Sequence, residues 1–147
     1  MPCTEPDKLF ARGLRALNNG DSLSALAYFE KAFQLENNPT FCSYFAFCLA
    51  KERGQYNNAV SLCKGAMEME PNNSIHYLNL GRIYMLLGNK PEAMLVFRQG
   101  LGHGNSPQIT AELDRLGARK PPVLPFLKRT NPLNKYLGII LKRVGLR

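Results

Sequence analysis

Apolar residues recur along most of the chain at three- and four-residue steps, and turn-forming residues interrupt them at regular distances. That periodicity predicts helices over 7–19, 22–36, 40–53, 56–69, 74–87 and 90–102, with a seventh over about 107–117. Asn37, Asn38 and Pro39 form the turn between the second and third helices. Asn72 and Asn73 separate the fourth from the fifth, with Ser74 as the expected N-cap. Pro71 stops the fourth helix, because proline lacks the amide proton and clashes with the preceding turn. In the seventh helix, Ile109, Leu113 and Leu116 form an inward stripe, while Gln108, Glu112, Asp114 and Arg115 supply polar positions.

The pattern also repeats at long range. Ala25-x-x-x-Phe29-x-x-Ala32, Ala59-x-x-x-Cys63-x-x-Ala66 and Ala93-x-x-x-Phe97-x-x-Gly100 superimpose at a spacing of 34 residues. A glycine stands five residues before each block, at Gly20, Gly54 and Gly88. Each unit therefore reads as two short antiparallel helices. The glycine ends the first of them, small residues allow a close helix crossing, and Phe29 and Phe97 fill the space between helices. Cys63 fills it less completely.

The third unit, Tyr77-x-x-Leu80-Gly81-x-x-Tyr84 followed by Ala93, Phe97 and Pro107, resembles the tetratricopeptide repeat. Tyr77 replaces the usual tryptophan, and Pro107 comes two residues late. The first unit keeps Gly13 but has Arg12 and Ala16 at consensus positions, and the second has Phe47 in place of the motif glycine and Ala50 in place of the tyrosine. The resemblance covers residues 6–107. It implies an all-α protein, a right-handed superhelical stack of three helix pairs over about 6–37, 40–71 and 74–105. A terminal capping helix is expected, because a stack leaves an apolar face at its end. It also implies a concave face that binds an extended or helical peptide.

In such a stack the first helix of each pair lines the concave face. Three- and four-residue steps place Asp7, Phe10, Leu14 and Leu17 there from the first repeat. The second contributes Phe41, Tyr44, Cys48 and Lys51, and the third Ile75, Leu78, Arg82 and Met85. A mainly apolar face of this kind points to a protein or peptide partner, or to cover supplied by the seventh helix or the C-terminal tail. Some tetratricopeptide domains grip a chaperone's C-terminal carboxylate with Lys and Asn clamps. At the matching places stand Phe10, Leu14 and Phe45, with only Asn79, Lys51 and Arg82 as polar groups nearby, which argues against the clamp.

The net charge of +8 over 147 residues is unevenly distributed. Residues 1–114 carry ten Lys and Arg against eleven Asp and Glu, whereas residues 115–147 carry nine cations and no acid. Within the tail, 119–147, four prolines between 120 and 134 preclude a helix there. Pro132 to Val144 can form a short amphipathic one, with Leu133, Leu137, Ile140, Leu141 and Val144 on one face. The tail resembles the ends of small bacterial tetratricopeptide proteins of undefined role. Its cations include Lys120, Lys128, Arg129, Lys135, Lys142, Arg143 and Arg147. Either Val123, Leu124, Phe126 and Leu127 pack back on the repeats, or the tail is a basic arm for an anionic membrane surface or other polyanion. Phe126 and Tyr136 alone do not favour nucleic acid.

Candidate chemistry is sparse. Cys3, Cys42, Cys48 and Cys63 have no C-x-x-C spacing and follow no secretory signal, which predicts free thiols in a cytoplasmic protein. His76 and His103 share no metal-ligand spacing with them. Gly100-x-Gly102-x-Gly104 follows a helix and lacks the Lys-Ser/Thr ending of a phosphate loop. The expectation is a protein-interaction scaffold with no catalytic, cofactor-binding or metal-binding residues.

Overall fold

The computed structural model describes residues 3–117, and these form seven helices. The helix expected between Pro132 and Val144, the basic residues at 120–147 and any docking of the tail lie outside the described residues.

Short polar side chains start nearly every helix. The first, α1 (Glu5–Asn18), begins two residues earlier than the periodicity suggests because Thr4 and Asp7 form a capping box. The Thr4 hydroxyl accepts from the Asp7 amide at 3.4 Å, and the Asp7 carboxylate accepts the Thr4 amide at 3.2 Å. Asp21 caps α2 (Ser22–Leu35) and Asn38 caps α3 (Pro39–Arg53), where Pro39 takes a first-turn position that needs no amide donor. In α4 (Tyr56–Met69) the first turn has no side-chain cap. The cap of α5 (Ser74–Leu86) is Asn73, one residue before the expected Ser74. Asn73 holds an extended backbone from which its side-chain oxygen accepts the Ile75 amide at 3.1 Å, so Ser74 enters the helix. Asn89 caps α6 (Lys90–Leu101), and the Ser106 hydroxyl accepts the Ile109 amide of α7 (Pro107–Gly117) at 3.3 Å.

The 34-residue glycines behave as their spacing predicts. Gly20, Gly54 and Gly88 sit at φ +81°, +65° and +77°, in the left-handed region where a side chain would be strained. Each helix from α1 to α5 packs on its successor, α5 packs on α6, and α3 also packs on α5.

The pairs cross closely at one residue each. A β-carbon on Gly13 would lie 2.4 Å from the Phe29 ring, and one on Gly81 would lie 2.3 Å from the Phe97 ring. Both rings are fully buried. The middle repeat inverts the sizes. Phe47 occupies the glycine column and Cys63, also fully buried, the phenylalanine column. Bulk moved from the second helix to the first keeps the interior filled, but it brings an aromatic ring to the face lined by the first helices.

The largest core cluster joins the first two repeats to α5 through Phe29, Tyr44, Cys48, Cys63 and Ile83. A second cluster of Leu78, Ala93, Phe97 and Ile109 receives α7. Gly100 replaces the alanine of that column, and the Ile109 side chain lies 2.7 Å from where its β-carbon would be. The absent methyl is the space into which the terminal helix plugs.

Candidate functional site

The first helices of the three repeats and α7 line one concavity. Leu14, Leu17, Tyr44, Phe47 and Gln108 border a cavity of about 700 Å³. It adjoins a second, of about 420 Å³, walled by Met85, Leu86 and Leu116. Phe47, Lys51, Arg82, Glu112 and Arg115 line both and form a waist between them.

The waist is ionic. The Arg82 Nε donates to Glu112 Oε1 at 3.1 Å, and the Arg115 guanidinium donates to the other carboxylate oxygen. The Arg82 guanidinium carbon lies 5.6 Å from the centre of the Phe47 ring, within cation–π range. Glu112 is 8% exposed, which is unusual for a carboxylate unless it is paired, as here.

Of the twelve residues expected on this face, six line the two cavities, namely Leu14, Leu17, Tyr44, Lys51, Arg82 and Met85, whereas Asp7 is taken up by the capping box with Thr4. Phe10 and Ile75 are half-buried and pack against the main core. Phe41, Cys48 and Leu78 are buried. They lie deeper than the groove, in the core clusters: Phe41 with Leu9 and Ala32, Cys48 in the main core, and Leu78 with Ala93, Phe97 and Ile109. Asn79, considered above as a polar group of the face, is fully buried and donates to Ser43 Oγ at 3.1 Å. The groove residues that sequence reasoning missed are Phe47, Leu86 and the α7 side chains. Phe47 was legible as the odd residue of a glycine column, and Glu112 with Arg115 as an i, i+3 pair.

His76 is not near a nucleophile in the sequence, but the structure brings one to it. Its ring is fully buried, with Nδ1 3.0 Å from Ser43 Oγ and Nε2 3.0 Å from the Glu70 carboxylate. Three residues of catalytic composition are thus in line. Ser43 is itself fully buried and donates to the Thr40 carbonyl, so its hydroxyl is closed to a substrate and the set serves as a polar staple between the second and third repeats. Burial holds the imidazole below its ordinary value, against the opposing pull of Glu70.

Burial also pushes the Cys42 thiol up to about 11 and the Cys48 thiol up to about 12, and raises that of Cys63. Thiolates, not thiols, react with disulfide reagents. One thiol, the exposed Cys3, is expected to react with dithionitrobenzoate within seconds in native protein, and the three buried ones only on unfolding. Four fast thiols would show that the second repeat is open.

Residues 50–111 match the family model described as Tetratricopeptide repeat. No curated protein matches the chain. Among solved structures, the Sgt2 tetratricopeptide domain from Aspergillus fumigatus is similar at TM-score 0.61 and 22% identity, covering 78% of each chain. The OM64 tetratricopeptide domain from Arabidopsis is similar at TM-score 0.59 and 22% identity, over 78% of this chain and 95% of that one. The first tetratricopeptide domain of Spaghetti (RPAP3), bound to the HSP90 peptide SRMEEVD, is similar at TM-score 0.59 and 19% identity, over 79% of this chain and 93% of that one. The doubled 34-residue period, the helix pairs that it encodes and these likenesses together show that the chain has the fold of a tetratricopeptide-repeat stack, with the family's pattern matched over residues 50–111.

Proposed function

We propose that this protein is an interaction module that holds a segment of a partner polypeptide in the groove across α1, α3, α5 and α7. The observation that carries the reading is the groove itself. Apolar side chains from four helices face an open concavity, where they would lose contact with water on receiving a partner. One solved neighbour, the Spaghetti domain, is described as bound to a peptide, which supports a binding role for the shared fold. A scaffold rather than an enzyme fits the Ser–His–Glu arrangement among the described residues, whose Ser43 and His76 are fully buried. No helix among the described residues is long and apolar enough to cross a membrane.

Site-specific photocrosslinking tests the reading. Benzoylphenylalanine at Met85, in the groove, is expected to give discrete adducts with a host polypeptide. The same probe at Leu95, which is 49% exposed on α6 and lines neither cavity, is expected to give none. Equal crosslinking at both positions would remove the groove as the binding surface.

A further inference from the structure

We propose that the ionic waist is a carboxylate site that Glu112 fills in the unbound chain, and that the groove takes a peptide presenting an acidic side chain beside a large apolar one. This rests on the groove reading above and specifies the partner's chemistry. Glu112 is the one carboxylate among the buried polar residues described, and it faces three cations, Lys51, Arg82 and Arg115. One negative charge against three leaves the waist at +2. Lys51 is exposed and forms no ion pair among the described residues.

Arg82 is preorganised to accept a second carboxylate. Its guanidinium lies over the Phe47 ring, and it engages Glu112 through Nε. The fork of a guanidinium offers two parallel donors to a carboxylate, so a partner's oxygens can take the place of those of Glu112. Displacement requires only that the Glu112 side chain turn away, since α7 stays anchored by Ile109 in the space beside Gly100. The apolar requirement comes from the adjoining cavity. At about 420 Å³, walled by Phe47, Met85, Leu86 and Leu116, it has room for a leucine, methionine or phenylalanine side chain. A basic segment would meet three like charges at the waist and be rejected.

The test is a random dodecapeptide phage library selected on the full chain and counter-selected on Lys51→Glu. The counter-selection removes acidic peptides held merely by the cations of residues 119–147, which both proteins share. Recovered sequences are expected to carry Asp or Glu within two residues of Leu, Met or Phe. The synthetic peptide should bind at least tenfold more weakly when its acid becomes the amide, and more weakly with rising salt. Glu112→Gln removes the internal competitor and should tighten binding several-fold, while Lys51→Glu should weaken it several-fold. Failure to recover any peptide that distinguishes wild type from Lys51→Glu overturns the proposal, as does an amide peptide of equal affinity or a Glu112→Gln protein that binds no tighter. A recovered non-acidic peptide whose binding is lost on Met85→Lys would sink the carboxylate site and leave the groove reading standing. Binding indifferent to both Lys51→Glu and Met85→Lys would sink both.

Discussion

Phe97→Ala is expected to lower the free energy of unfolding by about 3–5 kcal/mol, among the largest losses of any single substitution in the stack. The ring is fully buried and lies against Gly81, where even one added carbon would stand 2.3 Å from it. Removing it leaves a cavity that α5 and α6 can close only by shifting against the rest of the repeat. Gly81→Ala alone should cost about 1–3 kcal/mol through overpacking. The informative quantity is the pair. In the Phe97→Ala background the added methyl strikes nothing, so Gly81→Ala should cost far less there, with a coupling of up to about 3 kcal/mol. Urea unfolding of the two single variants and the double variant measures it. Additive losses would mean that the helices do not cross at this residue.

The second large effect concerns the staple of Ser43, His76 and Glu70. His76→Gln should cost about 1–3 kcal/mol near pH 7.5, because buried hydrogen-bonding groups of Ser43 and Asn79 lose part of their network. It should also change the pH profile. Burial holds the folded imidazole below its ordinary value of 6.5, so just below that pH the unfolded chain binds more protons than the folded one. Stability then rises with pH. The contribution is complete above about 6.5 and is lost as pH falls from there through the folded value. Glu70 adds a lower window. The Asn73 amide, more than His76, holds its carboxyl below the ordinary 4.5, so its contribution is present above 4.5 and lost as pH falls through the folded value. Thermal melts of wild type between pH 8 and 3 should show both losses, and His76→Gln should abolish the upper one. A variant that keeps the full wild-type slope below pH 6.5 would show that His76 is not the group responsible.

Phe47 connects packing to binding. In the first and third repeats the corresponding residue is glycine, beneath a phenylalanine from the second helix. The middle repeat carries the bulk on the first helix instead. The ring therefore borders both cavities, and it is the surface over which Arg82 is held. Moving the aromatic bulk from the second helix to the first supplies the aromatic floor of the groove.

The helices and their order were legible in the sequence because their determinants are local. Asn38 beside Pro39, the three left-handed glycines and the 3.6-residue periodicity each act within a few residues. The 34-residue repetition then dictates stacking, since a pair of helices cannot bury its apolar face alone. Helical phase puts Leu14, Tyr44, Lys51, Arg82 and Met85 on the side that lines the two cavities, but it gives direction and not depth. Whether Phe41, Cys48 and Leu78 face a partner or the interior depends on which other helices pack over them, as Ala93, Phe97 and Ile109 do over Leu78 and Leu9 and Ala32 over Phe41. Only the tertiary structure could bring Glu112 to Arg82, 30 residues away, or His76 to Ser43, 33 residues away. Such pairs carry no local signature. They arise because the stack sets side chains about one repeat apart side by side, where a buried charge or imidazole must find a partner or forfeit its hydration.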